Sequence, residues 1–357
     1  MLKQILLAPI SWIYGLVVNL RNKFFDWKIL RSEEFDIPIV CVGNLTVGGT
    51  GKTPHTEFLI EHFSREYNIA VLSRGYKRKT KGFVEATTKS SYRKIGDEPK
   101  QIKLKFPDIP VAVCEKRAEG IKRLRELHPE INLVILDDAF QHRYVEPWVN
   151  VVLMDYTRPI YTDHFLPVGR LRDSKKQMKR AQIVIVTKCP EDIKPIDMRV
   201  TRKALDLYPY QGLYFSRPVQ GQLIPLFPEH EMPVPKRETN VIAMAGIANP
   251  KIFFGQLSER FNVQKTLVYA DHYVYKVGDL SKLEKMLSVL PPDTAIIVTE
   301  KDAVKLSSRK KIPVSLQKRL WFAPIEVRFL ENGEQGFIRQ INEYVRTNHK
   351  YSILHPE

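Results

Sequence analysis

Cysteine is scarce in this chain: the 357 residues contain three, Cys41, Cys114 and Cys189. Each lies in or beside an apolar, strand-like run, and no two form a C-x-x-C pair. We therefore expect buried thiols in a reducing compartment and no disulfide framework. The sequence also lacks a cluster of His and Cys at the spacing of metal ligands, which argues against a zinc site.

The chain also lacks an apolar run long enough to cross a membrane comfortably. The apolar segment from Ile5 to Leu20 spans roughly 24 Å as a helix, short of a bilayer core of about 30 Å. Five residues have the spacing of one helix face: Ile10, Ile13, Tyr14, Val17 and Val18. Two interpretations stay open, an interfacial helix on a membrane and a helix packed on the protein's own sheet. A cleaved signal peptide is disfavoured, because no small-x-small site follows.

Acidic residues are outnumbered, with 40 Asp and Glu against 56 Lys and Arg, which gives a net charge of +16. Between Arg74 and Glu126 there are 16 basic and 7 acidic residues, and residues 170–181 add 6 basic against 1 acidic. This excess could serve an anionic substrate, an anionic membrane or nucleic acid. A nucleic-acid-dependent ATPase is the alternative function, although the sequence shows no recognition-helix motif or aromatic-rich groove.

A glycine-rich loop follows the apolar run 37–43, in the sequence Asn44-Leu45-Thr46-Val47-Gly48-Gly49-Thr50-Gly51-Lys52-Thr53. Its end matches the phosphate-binding pattern G-x-x-x-x-G-K-[ST], but Thr46 replaces the first glycine. The backbone of Gly48, Gly49, Thr50 and Gly51 could surround the phosphates of a nucleoside triphosphate. Lys52 could reach the terminal oxygens, and Thr53 could bind Mg²⁺. A glycine turn that binds nothing is the alternative.

Two carboxylates follow a second apolar run, at Asp137 and Asp138. A continuous apolar strand belongs inside a parallel sheet, whose carboxyl ends carry ligand sites, so these acids could hold Mg²⁺ beside the loop. The alternative is an acidic strand end that caps the next helix. A GTPase-type switch is disfavoured, because Lys188-Cys189-Pro190 stands where N-K-x-D would read guanine.

Apolar runs alternate with helical or basic stretches, which predicts a parallel sheet covered by helices. The expected strands lie near residues 37–43, 68–73, 110–114, 132–137, 149–155 and 182–187. The predicted fold class is α/β, with a P-loop NTPase-like sheet, a second smaller α/β domain and an N-terminal apolar helix. We expect four regions: an interface helix at 1–35, a nucleotide-binding domain at 36–206, a proline-rich extended linker at 207–236, and the smaller domain at 237–357, whose C-terminal helix could pack back on the first domain.

Further polar residues are ambiguous by themselves. Asp97, in Gly96-Asp97-Glu98-Pro99, has the spacing of a helix N-cap with proline in the first turn, and spacing alone favours that interpretation. His272, after a strand of the second domain, could be solvated or catalytic. Gln141 and His142 are better placed, because they follow the paired acids.

Taken together, the chain resembles the tetraacyldisaccharide 4'-kinase family, which phosphorylates a lipid A precursor in Gram-negative bacteria. The resemblance is carried, in matching order, by VGNLTVGGTGKTP (42–54), SRGYKR (73–78), GDEP (96–99), LDDAFQHR (136–143), LPVGRLRD (166–173), DHY (271–273) and TEKDAVK (299–305). It implies ATP- and Mg²⁺-dependent phosphorylation of the 4'-hydroxyl of lipid A disaccharide 1-phosphate. It also implies a peripheral enzyme at the cytoplasmic face of the inner membrane, with no nucleic acid and no obligate protein partner.

The resemblance also implies roles for single residues. Asp97 matches the base toward the sugar hydroxyl, His272 its partner, and Arg117 a basic residue near the phosphates. Further active-site positions are matched by Gln141, His142, Arg172, Asp173 and Asp271. Two positions depart from the family pattern: Ala139 stands where glycine is common, and Asp173 where glutamate is usual. Alanine suits position 139 if φ is negative there, and the shorter acid at 173 withdraws its carboxylate by about one methylene.

Overall fold

The computed structural model describes residues 2–230, 233–271, 273–309 and 311–347, and within these ranges the chain forms two β-sheets. The strands of the larger sheet are β1 (Ile39–Asn44), β2 (Ile69–Ser73), β3 (Val84–Glu85), β4 (Val111–Val113), β5 (Leu133–Asp137), β6 (Val149–Asp155), β7 (Ile183–Thr187), β8 (Gly212–Gln220) and β14 (Ile325–Phe329). These nine strands lie in the order β14-β8-β7-β6-β1-β5-β2-β4-β3. The six strands predicted for the first domain are confirmed.

Helices cover both faces of this sheet, so its central strands are buried on both sides. The helices are α1 (Leu2–Asp26), α2 (Lys52–Phe63), α3 (Tyr92–Ile95), α4 (Asp97–Lys105), α5 (Arg117–Leu127), α6 (Pro195–Leu205) and α11 (Gly333–Thr347). Every residue of β1, β5 and β7 is buried, which explains their continuous apolar sequences. Cys41, Cys114 and Cys189 are buried free thiols, as predicted.

The second sheet has five strands in the order β11-β10-β12-β13-β9. Its strands are β9 (Ile224–Pro225), β10 (Asn240–Ala245), β11 (Asn262–Val268), β12 (Ala295–Thr299) and β13 (Leu320–Ala323), and its helices are α7 (Lys251–Arg260), α8 (Val277–Leu287), α9 (Glu300–Ser307) and α10 (Val314–Gln317). Strands β10 to β13 pair in parallel, and only the short β9 is antiparallel to its neighbour. The predicted α/β fold class with a second, smaller sheet is confirmed.

The chain crosses between the sheets more than once. The proline-rich segment 207–236 contributes β8 to the larger sheet and β9 to the smaller one. After the smaller sheet, β14 pairs antiparallel with β8, and α11 packs on β8 and β14. The domain boundaries given above stay a prediction, but both sheets draw strands from the segment between them.

The register of the larger sheet places the functional loops side by side. Val42 of β1 lies opposite Asp137 of β5 and Val151 of β6. Because these strands run in parallel, the glycine-rich loop after β1 and the paired acids after β5 emerge at the same edge.

Helix α1 packs against the rest of the protein mainly through small and polar residues. Its buried positions include Ser11, Gly15, Asn22 and Phe25. Seven of its large apolar side chains are exposed instead, and they are Leu6, Ile10, Trp12, Ile13, Leu16, Val17 and Leu20. Across the residues that the structure describes, no helix has the length and hydropathy to span a bilayer.

Candidate active site

The loop between β1 and α2 has the backbone of a phosphate-binding loop. Gly48 and Gly51 have φ angles of 116° and 87°, in the left-handed region that favours glycine. Gly51 is the N-cap of α2, and no side chain caps the helix at this position. The N–H groups of Lys52 and Thr53, the first two helical residues, are therefore left without a capping side chain, as a site for an anion requires.

Thr46 stands where the motif usually has its first glycine. Its φ is not positive, and its backbone forms an antiparallel bridge with Leu171. The next residue, Val47, donates its N–H to the carbonyl of Arg170 at 2.8 Å. Threonine therefore suits the position, and the segment around Leu171 braces the loop.

Buried polar contacts hold the loop from behind. Asn44 Nδ2 donates to Thr50 Oγ1 at 2.9 Å. The ring of His55 contacts the carbonyl of Gly51 at 2.7 Å and Ser216 Oγ at 3.0 Å. Burial lowers the pKa of His55 to about 4, so its imidazole is neutral and serves as a structural donor and acceptor.

Asp137 lies at the end of β5 and is fully buried. Its Oδ1 accepts a hydrogen bond from Thr56 Oγ1 at 3.2 Å, while Oδ2 has no hydrogen-bond partner among the described residues. Burial raises the pKa of Asp137 to about 7, and the carboxylates of Glu98 and Asp138 act in the same direction. An unpartnered oxygen on a buried acid fits a place where a cation binds.

Asp138 is paired with two basic side chains. Lys52 Nζ lies 3.7 Å from Asp138 Oδ2, and Arg172 donates to both carboxylate oxygens of Asp138. Burial acts to raise the pKa of Asp138, but Lys52 and Arg172 outweigh it and hold the pKa below its usual value. Asp138 is therefore ionised.

The oxygen atoms of this cluster fit Mg²⁺ better than a metal ion that is coordinated by protein side chains alone. The side chains described in the structure include no group of three or more His, Cys, Asp or Glu placed to hold a metal ion. Mg²⁺ needs no such group, because it usually takes one or two carboxylates and completes its shell with phosphate oxygens and water. Thr53, Asp137 and Asp138 supply a hydroxyl and two carboxylates of this kind.

Gln141 and Arg172 converge on Asn44 at the end of β1. Gln141 Nε2 donates to the carbonyl of Asn44, and Arg172 Nη2 donates to Asn44 Oδ1, both at 2.5 Å. His142 lies beside them, and burial, aided by Arg117, lowers its pKa to about 4. The imidazole of His142 is therefore neutral.

Arg117 opens α5 and is almost fully buried. Its Nη1 donates to the carbonyls of Cys114 and Glu115 at 3.2 and 3.1 Å. Burial lowers the pKa of Arg117, as does the charge of Arg74, whereas Asp138 acts in the opposite direction. The guanidinium thus lies within the electrostatic field of the paired acids.

Asp97 is the first residue of α4, and Gly96, not Asp97, occupies the N-cap position. Gly96 has a φ of 98°, so the turn before the helix uses glycine's freedom. Lys305 of α9 places Nζ 4.0 Å from Asp97 Oδ2 and 3.4 Å from Asp302 Oδ1. The buried Lys305 of α9 therefore faces Asp97, the acid that the family resemblance implies as the base.

The predicted partner of Asp97, His272, lies outside the described residues. Asp271, directly before it, is exposed in a turn beyond β11. Burial acts to lower the pKa of Lys301, but Glu98 outweighs it and raises the pKa, with Asp271 and Asp97 acting in the same direction. Asp271 and Asp97 thus lie in the field of one lysine.

Sequence reasoning assigned no role to Glu98, Lys301 or Lys305. Lys301 Nζ donates to Glu98 Oε1 at 2.8 Å and joins α9 to α4. Burial acts to raise the pKa of Glu98, but Lys301 and then Lys52 outweigh it and lower the pKa. The available signal was a pair of lysines four residues apart, on one face of a helix that follows a buried strand.

The two departures from the family pattern have simple structural outcomes. Ala139 does not have a positive φ, so glycine is not required there. Asp173 is buried, and its Oδ1 accepts hydrogen bonds from Asn22 Nδ2 and from the N–H of Ser174, both at 2.7 Å. The carboxylate of Asp173 is therefore directed to α1 and to its own turn.

A family profile described as tetraacyldisaccharide-1-P 4'-kinase matches residues 3–346. A tetraacyldisaccharide 4'-kinase from Phocaeicola vulgatus is 46% identical over 352 residues, covering 97% of this chain and 96% of that protein. The protein of the same name from Bacteroides thetaiotaomicron is 45% identical over 358 residues, with 97% and 94% covered.

Among solved structures, the chain is similar to LpxK from Aquifex aeolicus in complex with ATP. The TM-score is 0.74 at 25% sequence identity, covering 97% of this chain and 100% of that one. The similarity thus extends over both sheets.

Proposed function

The chain belongs to the tetraacyldisaccharide 4'-kinase family, and on that premise we propose that the cluster around Lys52 and Asp138 is its phosphoryl-transfer site. The enzyme is an ATP-dependent kinase of lipid A biosynthesis that phosphorylates the 4'-hydroxyl of tetraacyldisaccharide 1-phosphate. The observation that carries the site assignment is the register of β1 against β5, with Val42 opposite Asp137.

The donor half of the site is the loop that ends in Lys52. Backbone N–H groups of Gly48, Gly49, Thr50 and Gly51 would bind the phosphates of ATP, and Lys52 would reach the terminal oxygens. Lys52 and Arg172 both contact Asp138 in the structure, so bound phosphates would share cations that are already in position. This prior placement lowers the cost of organising charge during transfer.

Thr53, Asp137 and Asp138 would hold Mg²⁺, which when bound neutralises charge on the phosphate oxygens. The unpartnered Oδ2 of Asp137 supports this assignment, because a buried carboxylate is stabilised by a cation. The ionised Asp138 supplies the second carboxylate.

The acceptor half would be built around Asp97. The 4'-oxygen attacks the terminal phosphorus of ATP, the bond to the bridging oxygen breaks, and ADP leaves. The hydroxyl proton passes to Asp97, which His272 would orient from the smaller domain. Arg117 would stabilise charge near the phosphates, while Gln141, His142 and Asp271 would line the site. Lys305, 4.0 Å from Asp97, contributes to the position of the carboxylate.

The outward apolar face of α1 supports binding at a membrane surface. A helix that buries Ser11, Gly15 and Asn22 and exposes Trp12 and six aliphatic side chains reverses the usual arrangement. Burial in lipid would remove this apolar surface from water, and nearby basic residues would favour anionic headgroups. We infer a peripheral enzyme on the cytoplasmic face of the inner membrane, with no nucleic acid and no obligate protein partner.

The test is transfer of ³²P from ATP to lipid A disaccharide 1-phosphate in mixed micelles. The wild-type protein should form labelled product, and Lys52→Ala should lower the rate by at least about 100-fold, because a positioned charge is lost. An absence of transfer by wild-type protein that binds ATP would overturn the assignment. ATP turnover stimulated by DNA or RNA, and not by lipid, would support the nucleic-acid alternative instead.

A further inference from the structure

Helix α1 contacts two chain segments that carry candidate residues of the site. The first is 165–173, which carries Arg172, and the second is 141–143, which carries Gln141. Toward the first segment, Ser11 Oγ donates to the carbonyl of Phe165 at 2.7 Å and Tyr14 Oη donates to the carbonyl of Arg172 at 3.1 Å. Toward the second, Arg21 donates to the carbonyl of Gln141 at 3.1 Å.

The most buried of these contacts joins Asn22 to Asp173. The two residues are 3% and 1% exposed, and Asn22 Nδ2 donates to Asp173 Oδ1 at 2.7 Å. The same carboxylate oxygen accepts the N–H of Ser174, which fixes the turn directly after Arg172. The backbone of Asn22 is held as well, because Arg143 Nη1 donates to its carbonyl at 3.0 Å.

Arg172 lies between two of these anchors. The hydroxyl of Tyr14 holds its carbonyl, and the Asn22–Asp173 contact holds the residue that follows it. From that position its guanidinium bridges Asp138 and Asn44. A shift of the segment by about 1 Å would break this geometry, and misplacement of that size can cost about 100-fold in rate.

We propose that Asn22 is a positioning residue for phosphoryl transfer: through Asp173 it fixes the segment from which Arg172 reaches Asp138. The two faces of α1 then have separate roles, since the apolar face binds lipid and the polar face orders the site. This inference depends on the proposed function, in which Arg172 and Asp138 belong to the transfer site.

The charge pattern favours positioning over a purely structural contact. A buried carboxylate needs hydrogen bonds or a cation, and Asp173 receives two hydrogen bonds, one from α1 and one from its own turn. Burial lowers the pKa of Arg180 to about 10, and the charge of Asp173 acts in the opposite direction. Removal of the Asn22 amide would therefore change the environment of a charged group directly beside Arg172.

The experiment compares Asn22→Leu with Asn19→Leu, a matched change three residues away on the same helix. For each variant we would measure kcat and KM for ATP in mixed micelles, sedimentation with phosphatidylglycerol vesicles, and the midpoint of thermal unfolding. We expect kcat of Asn22→Leu to fall about 10-fold or more while vesicle binding is retained, and kcat of Asn19→Leu to stay near the wild-type value. Equal kcat values for the two variants would overturn the proposal.

A charge exchange keeps the test decisive if Asn22→Leu folds poorly. Asn22→Asp places a second carboxylate beside Asp173 and should be strongly impaired. The double variant Asn22→Asp/Asp173→Asn restores an amide–carboxylate pair and should recover kcat to within a few-fold of the wild-type value. A double variant as impaired as the single one would contradict the proposal. Failure of the wild-type protein to transfer phosphate would instead refute the proposed function.

Discussion

Lys301 of α9 and Glu98 of α4 form an ion pair, with Nζ 2.8 Å from Oε1. Both side chains are more than two-thirds buried, and Glu98 lies in the field of Lys52 and Asp138. The contact therefore joins the smaller sheet to the edge at which ATP would bind. The net charge at this edge of the larger sheet therefore depends on residues of both α4 and α9.

We expect Lys301→Met to lower kcat, because it leaves the Glu98 carboxylate uncompensated beside two further acids. The loss of kcat should be smaller in a Glu98→Gln background. The two changes should also couple by roughly 0.5–3 kcal/mol in the free energy of unfolding. Denaturant unfolding of both single variants and the double variant checks this. Lys122→Met, which breaks an exposed pair with Glu33, is the control and should cost less than about 1 kcal/mol. Additive effects of the first two changes would contradict the coupling.

A half-buried acid at the start of α9, Glu300, predicts a pH dependence of stability. Burial, with the nearby charge of Glu57, raises the pKa of Glu300 from 4.5 to about 8. The folded state then binds more protons than the unfolded state between these values. The stabilisation is complete below about pH 4.5 and is lost as the pH rises through 8.

Glu300→Gln should therefore flatten the decline of the thermal midpoint between pH 5 and pH 9, as measured by calorimetry. Each unit of pKa shift corresponds to about 1.4 kcal/mol. Glu259→Gln, on the exposed surface of α7, removes the same charge and should leave the slope unchanged. Parallel curves for wild type and Glu300→Gln would show that Glu300 does not bind the extra proton.

The close approach of α1 to the body depends on Gly15. A Cβ at this position would lie 2.7 Å from a ring carbon of Phe165, whereas a Cβ at Gly255 in α7 would meet nothing within 4 Å. Gly255→Ala should stabilise the protein by roughly 0.5–1 kcal/mol through helix propensity. Gly15→Ala should lose that gain because its Cβ clashes with Phe165. Its free energy of unfolding should be at least about 1 kcal/mol below that of Gly255→Ala, and the amide hydrogens of α1 should exchange faster. Equal stabilisation by both changes would argue against the packing of α1 described above.

Removal of one proposed metal ligand should change the requirement for Mg²⁺. Asp137→Asn keeps the shape of the side chain but removes its charge, so the free Mg²⁺ needed for half-maximal transfer should rise about 10-fold or more. Asp155→Asn, at the end of β6 on the other side of β1, is the matched control, because Asp155 pairs with Lys188 instead. An unchanged Mg²⁺ dependence for Asp137→Asn would exclude Asp137 as a ligand.

Much of the nucleotide half could be predicted from local sequence. Each expected strand of the larger sheet is an apolar run buried on both faces, and this property is visible in the sequence without any partner strand. The glycine-rich loop and the acids Asp137 and Asp138 follow such runs directly. Their adjacency then depends only on the parallel pairing of β1 with β5.

The remaining features depend on contacts between distant parts of the chain. The return of β14 to the larger sheet, the Lys301–Glu98 pair and the Asn22–Asp173 contact all join residues far apart in sequence. Periodicity does not encode such pairs. For α1 the helix was predicted, but its exposed face was predicted only in part: Ile10, Ile13 and Val17 are exposed, whereas Tyr14 contacts the segment of Arg172. The structure buries mainly small and polar positions of this helix.

In the proposed function, Asp97 and the Lys52 loop form one transfer site. The most direct measurement is the single-turnover rate of ³²P transfer to lipid A disaccharide 1-phosphate by Asp97→Asn, with ATP binding measured on the same sample and His272→Ala as a companion. We predict that Asp97→Asn binds ATP as the wild type does but transfers phosphate at least about 100-fold more slowly, because the hydroxyl loses its proton acceptor. A rate for Asp97→Asn within about threefold of the wild-type value would contradict this account of the site.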